Sequence, residues 1–264
     1  MPDPDDDKPY LAKVFSPLLD DCTFERVGHG GSDARVIRIT KPGSTGAFLK
    51  YAFGAAGDGV REEHERLSWL GARAPAPRVI AYVANSDGAF LLSEALPGRN
   101  ACEAATGNPS SVIAEMARAL RALHALPPGD CPFDHCLDAR LALARTRMDA
   151  GLVDEGDFDQ ARQGATSRDL YAQLLTSRPD TENLVITHGD ACPENFVILN
   201  DRFVGFIDCG RVGLADRYQD LALASRNIES ALGPRYSDLF FAQYGEPNPD
   251  SGKLDYYRTL DEFF

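Results

Sequence analysis

His188-Gly-Asp190-Ala-Cys-Pro-Glu-Asn195, followed after an apolar stretch by Asp208-Cys-Gly210, is the part of the 264-residue chain whose reading decides the rest. The polar octapeptide lies between short apolar runs, Leu184-Val-Ile-Thr187 before it and residues 196–199 and 203–207 after it. Runs of this length and type predict strands, and Asn200-Asp201 predicts the turn of a hairpin. His188, Asp190 and Asn195 therefore belong to one loop, and Asp208 ends the hairpin's return strand. Each has an ordinary explanation when taken singly: Asp and Asn form turns, a histidine anchors a loop, an Asp caps a strand end. Their joint spacing points to a chemistry. Moving a phosphoryl group needs a carboxylate to hold the attacking hydroxyl in line, and oxygen ligands for Mg²⁺ to neutralise the phosphates. Asp190 suits the first role; Asn195 and Asp208 suit the second.

The spacing of Asp190 and Asn195, with His188 two residues ahead of the Asp, equals the catalytic-loop pattern of protein kinases. The amino-terminal half offers the matching parts for ATP. Arg35-Val-Ile-Arg-Ile39 and Ala47-Phe-Leu-Lys-Tyr51 flank the turn-forming Lys41-Pro-Gly-Ser-Thr-Gly46 and predict a hairpin. Val60, Leu67 and Leu70 predict a helix over 58–70, closed by Gly71. Two further strands follow, over 78–83 and 89–93, around a Ser86-Asp87-Gly88 turn. Lys50 on the strand and Glu63 on the helix fit the Lys-Glu pair that orients α- and β-phosphates. Phe48 and Lys50 share a strand face, so Phe48 can stack on adenine while Lys50 reaches phosphate. Gly28-His-Gly30-Gly31-Ser32-Asp33 is placed by position as the turn whose amides and Ser32 hydroxyl cover the phosphates, although it fits neither standard glycine-rich pattern.

Beyond Ser93-Glu-Ala-Leu-Pro97-Gly98 the composition turns helical, so the sequence predicts a nucleotide-binding lobe over 1–96 and a second lobe over 97–264. Residues 1–9, acidic and Pro-rich, read as disordered. Asn108-Pro109 opens a helix to about residue 125 with Ile113, Met116, Leu120 and Leu123 on one face. Another starts near Asp216, with Leu221, Ser225 and Ile228 aligned. The net charge of −13 argues against nucleic acid; it fits a cationic partner, although on composition alone the plainer reading is that acidity keeps the protein soluble. The start lacks a signal peptide's basic flank and apolar run, and no long apolar run predicts a membrane span, so the expected location is the cytoplasm. The six cysteines form no C-x-x-C pair, and Cys131-Pro-Phe-Asp-His135-Cys136 is a poor template for zinc.

Taken together, these residues resemble the aminoglycoside 3'-phosphotransferases over nearly the whole length. The most specific pieces are the 188–195 loop, Gly205-Phe-Ile-Asp-Cys-Gly-Arg211, Ala215-Asp-Arg-Tyr-Gln-Asp-Leu-Ala-Leu-Ala224 and the terminal Leu260-Asp-Glu-Phe-Phe264. The resemblance implies an α+β, bilobal protein-kinase-like fold: a small antiparallel sheet with one helix, then a larger, mostly helical lobe, with ATP and Mg²⁺ between them. It implies adenine on the connector backbone at Ser93 and Ala95, and the drug's 3'-hydroxyl at Asp190. It also implies an acidic floor for a polycationic aminoglycoside made of Asp157, Asp159, Asp261, Glu262 and the carboxylate of Phe264. Arg211 and Arg226 would order those carboxylates or the catalytic loop, and Asp220 would anchor that loop. The chain departs from the family pattern at Gln160, Asn227 and Ser230, where acidic residues are expected, with Glu229 next door. Two other readings are a kinase of another small alcohol (choline, homoserine or a macrolide) and a nucleotide-binding module without catalysis. The acidic terminus argues against the first, and the joint presence of Lys50, Glu63, Asp190, Asn195 and Asp208 against the second.

Overall fold

The computed structural model describes residues 4–27, 34–41, 43 and 46–264. The chain divides into two units, one made of residues 1–98 and 204–211, the other of 99–203 and 212–264. The first unit thus takes in a short segment from late in the sequence, which carries Asp208. Nothing in local patterning marks this return, because Gly205 acts through space. A side chain there would press 2.7 Å from Leu96 Cδ1 and 3.1 Å from the Pro75 carbonyl, to which the Phe206 N–H donates at 3.0 Å.

In unit 1, α1 (Pro4–Phe15), β1 (Thr23–Arg26), β2 (Arg35–Thr40), β3 (Ala47–Phe53), α2 (Gly57–Leu70), β4 (Val79–Ala84) and β5 (Gly88–Glu94) follow in order. The strands form one antiparallel sheet, β1-β2-β3-β5-β4. Alternation along β3 sends Ala47, Leu49 and Tyr51 into a core with Ile37, Ile39 and Phe90, and leaves Phe48 and Lys50 half-buried on the other face. Leu11 and Phe15 of α1 complete that core. The segment read as disordered over 1–9 is therefore helical from Pro4, and the lobe expected to carry one helix carries two. Leu11 and Phe15, four residues apart on one helical face, bury against the sheet, and Asp7 accepts the Tyr51 hydroxyl at 2.9 Å and pairs with Arg35. The acidic run hid these anchors.

Unit 2 runs through β6 (Arg99–Asn100), α3 (Ala101–Ala104), α4 (Pro109–His124), α5 (Leu137–Asp149), α6 (Ser167–Thr176), β7 (Leu184–Thr187), β8 (Phe196–Leu199), β9 (Arg202–Phe206), β10 (Gly213–Asp216), α7 (Tyr218–Leu232), α8 (Pro234–Tyr244) and α9 (Ser251–Asp261). The last residues of β9 already belong to unit 1. The predicted face of α4 is buried, with Asn108 accepting the Ser111 N–H as cap and Pro109 in the first turn. Leu221, Ser225 and Ile228 of α7 are fully buried, as their alignment predicts. Between β8 and β9, Asn200 and Asp201 have φ of 51° and 57°, the left-handed pair of a two-residue hairpin turn. No described helix is long and apolar enough to cross a membrane.

Candidate active site

Unit 1 gathers the residues suited to a nucleotide around Lys50. The central position of β3, paired on both edges, fixes its Cα, and the strand alternation aims its side chain away from the apolar core. The ammonium lies 2.7 Å from Glu63 Oε2 on α2 and 2.7 Å from Asp208 Oδ1. Burial alone would lower the lysine's pKa; the two carboxylates outweigh it and raise the value, so the group stays charged. Glu63 is buried, whereas the Asp208 side chain is 52% exposed. Asp208 also has φ of 52°, a conformation that non-glycine residues adopt at a cost and that recurs at functional sites. Phe48 shares the half-buried face of Lys50. Ser93 pairs across the sheet with Phe48, and the Ala95 N–H donates to the Gly46 carbonyl at 3.2 Å. Ser32 and the rest of 28–33 lie outside the described residues.

Unit 2 holds the loop. Its first two residues are bound from behind: the carboxylate of Asp220, wholly buried on α7, accepts the His188 N–H at 2.7 Å and the Gly189 N–H at 2.8 Å. His124 Nε2 bonds the same carboxylate at 2.9 Å, and Tyr244 lies 2.7 Å from His124 Nδ1. Gly189 takes a φ of 81°, which a side chain would oppose. The loop then presents Asp190, half-buried. Asn195 is buried and spends its amide nitrogen on Asp190, 2.8 Å to the carbonyl and 3.1 Å to Oδ2. Its amide oxygen is the atom suited to a hard cation.

The acidic surface is also in unit 2. Asp159, Asp255, Asp261 and Glu262 meet two guanidinium groups. Arg226 bonds Asp261 at 3.0 Å and lies 4.0 Å from Asp159. Arg162, buried, bonds Asp159 at 2.5 Å, Asp255 at 2.8 Å and Thr259 at 2.8 Å, and stands 3.9 Å from Glu262. Glu262 accepts the Asp159 N–H, and burial, reinforced by the Asp159 charge, pushes its carboxyl up to about 7. Asp157, two residues before Asp159, is exposed. Arg211 belongs to unit 1, at the end of the turn Cys209–Arg211. The Phe264 ring stacks on Arg140 at 3.3 Å, and Arg147 Nε donates to the Phe263 carbonyl at 2.5 Å, which ties the terminus to α5.

Arg162, Arg140 and Arg147 went unread in the sequence. Arg162 had one local signal, its position three residues after Asp159 in an acidic stretch; the two on α5 had none, since their partners lie more than a hundred residues away. Among the described residues, no three His, Cys, Asp or Glu side chains gather as a metal cage. Asp208 in unit 1 and Asn195 in unit 2 each carry an oxygen of the hard type that suits Mg²⁺.

Along its whole length the chain is similar to known phosphotransferases. Residues 23–257 match the model of a phosphotransferase enzyme family. An aminoglycoside 3'-phosphotransferase of Escherichia coli is 37% identical over 97% of this chain and 96% of its own. The crystal structure of an aminoglycoside-3'-phosphotransferase of type VIII superposes with a TM-score of 0.86 at 35% identity, covering 98% of both chains. A Streptomyces rimosus aminoglycoside phosphotransferase, APH(3''), solved with ADP and streptomycin, matches at 0.83 and 27% identity over 98% of both. With the Lys50, Glu63 and Asp208 group, the Asp190 loop and this likeness along the whole chain, the protein belongs to the phosphotransferase enzyme family, that of the aminoglycoside 3'-phosphotransferases.

Proposed function

We propose that the chain transfers the γ-phosphoryl group of ATP to the 3'-hydroxyl of an aminoglycoside antibiotic of the kanamycin and neomycin class, and so confers resistance. The observation that carries this reading is the coexistence of the Asp190 and Asn195 loop with an acidic surface built by Asp159, Asp255, Asp261 and Glu262. These carboxylates would accept charge-assisted hydrogen bonds from the drug's ammonium groups. Asp157, Gln160 and the terminal carboxylate of Phe264 would border that surface.

Lys50, held by Glu63, would bind the α- and β-phosphates; Phe48 would stack on adenine, and the backbone at Ser93 and Ala95 would bond its edge. The Ala95 N–H must leave the Gly46 carbonyl to do so. Asp208 and the Asn195 amide oxygen would hold Mg²⁺, which when bound neutralises the phosphates. Asp190 accepts the hydroxyl's hydrogen bond and aims the oxygen at the γ-phosphorus. The bond from that oxygen to phosphorus forms as the bond to the β,γ-bridging oxygen breaks, ADP leaves, and the hydroxyl proton passes to Asp190. The transition state is loose, so the protein's contribution is position and charge rather than a covalent intermediate.

The test is ADP release from ATP with kanamycin for the wild type and Asp190→Ala. Drug-dependent turnover in the first, and its loss in the second with nucleotide affinity unchanged, are expected. Loss of nucleotide binding as well would make Asp190 structural, and turnover by Asp190→Ala would remove it from the chemistry.

A further inference from the structure

We propose that Cys192, backed by Asn227, is a positioning residue that fixes the Asp190 carboxylate for phosphoryl transfer. The inference rests on the reading of Asp190 given above and adds to it two residues that the reading does not use.

The donors can be counted. Asn227, on α7, directs its amide nitrogen to the Leu223 carbonyl at 2.9 Å, a partner that only accepts and so settles which end of the amide is the nitrogen. Its second N–H goes to Cys192 Sγ at 3.3 Å. The sulfur, already an acceptor from Asn227, has one proton of its own, and Asp190 Oδ1 lies 3.2 Å away to take it. Oδ2 of the same carboxylate receives the Asn195 amide at 3.1 Å. Each oxygen of Asp190 is therefore held by a different donor, and the carboxylate plane cannot turn without losing one.

The thiol is suited to remain a donor. Its sulfur accepts from Asn227 on one side and faces Asp190 Oδ1, which has no proton to give, on the other. Asn227 lies two helical turns after Asp220, the residue that grips His188 and Gly189. One helix thus fixes the loop at its backbone through Asp220 and at its working side chain through Asn227 and Cys192. An amide at position 227 matters because it only donates toward the sulfur. An apolar side chain there would leave the sulfur without the donor that holds it.

The experiment measures kcat and KM with ATP and kanamycin for Cys192→Ala, Cys192→Ser, Asn227→Leu and the double variant Cys192→Ala/Asn227→Leu, with Asp190→Ala alongside. Misplacement of a reacting group by a fraction of an ångström costs on the order of tenfold in rate. Cys192→Ala is expected to lose about that factor in kcat with both KM values within about twofold. Serine, which still donates, should restore kcat to at least about a third of wild type. Asn227→Leu should fall in the same direction as Cys192→Ala, and the double variant no further than Cys192→Ala, because both act on Asp190 through the same thiol. Wild-type kcat in Cys192→Ala, a serine variant as slow as alanine, or additive losses in the double variant would overturn the inference while an inactive Asp190→Ala left the function standing. Should Cys192→Ala fail to fold, Asn227→Leu at wild-type kcat overturns it equally. An active Asp190→Ala would remove the reading on which it rests.

Discussion

Replacing Asp220 by alanine should both destabilise the protein and slow it, by amounts that the geometry bounds. The carboxylate is fully buried and accepts three hydrogen bonds, from the His188 N–H at 2.7 Å, the Gly189 N–H at 2.8 Å and His124 at 2.9 Å. Bonds to a charged acceptor contribute about 1.5–3 kcal/mol each, and those sharing one carboxylate are not additive. Truncation leaves two backbone donors and an imidazole in a dry interior. The expected loss is about 3–5 kcal/mol, the range for breaking a buried charged network. In a chain of this size that lowers Tm by roughly 10 °C. Circular dichroism during thermal unfolding reads the stability, and ADP release with kanamycin reads the function. Asp220→Asn, which keeps one acceptor, should lose about half as much. Because the same bonds fix the backbone from which Asp190 projects, kcat should fall at temperatures where Asp220→Ala is still folded. A Tm within about 2 °C of wild type, or undiminished kcat in the folded variant, would refute the anchoring role.

Lys50→Ala removes the counter-charge of both Glu63 and Asp208; kcat/KM for ATP should fall on the order of 100-fold, read by steady-state kinetics at varied ATP. Glu262 makes stability pH-dependent. Its folded pKa is raised to about 7, so the folded state binds the extra proton, and that stabilisation is complete below the ordinary carboxyl range and lost as pH rises through 7. Glu262→Gln lacks this loss, and its stability relative to wild type should grow by about 1 kcal/mol between pH 5 and pH 8 in urea titrations, after allowance for solvent screening. Arg162→Met leaves Asp159 and Glu262 close together without their shared guanidinium; urea unfolding at pH 8 should show a loss of about 2–3 kcal/mol that shrinks at pH 5, where Glu262 is neutral.

Sequence periodicity was enough for the elements that set the site. The strand of Lys50, the helix of Glu63, and the loop and hairpin from Leu184 to Asp208 each carry a local signal: alternation, helical spacing, or a turn pair such as Asn200-Asp201. Asp190, Asn195 and Asp208 stood out for the same reason, since a fixed spacing is visible along the chain. Contacts made through space were less legible. The Asp-rich start hid the packing of Leu11 and Phe15, because net charge outweighs two apolar residues in any window average. The passage of 204–211 into the first unit depends on how closely Gly205 approaches Pro75 and Leu96, which no periodicity encodes. Arg162 and the arginines of α5 were unread because a guanidinium in a charged stretch looks solvated until its partners are placed around it. Asn227 was read as missing acidity, whereas in the fold it donates to the sulfur beside Asp190.

The central claim, transfer to a 3'-hydroxyl, is tested most directly by comparing kanamycin with tobramycin, which lacks that hydroxyl, in the same ATP-consumption assay, with streptomycin as a third acceptor. The account predicts turnover of kanamycin, a product heavier by one phosphoryl group, and no turnover of tobramycin or streptomycin. Tobramycin consumed at the rate of kanamycin, or streptomycin as the only acceptor, would contradict it.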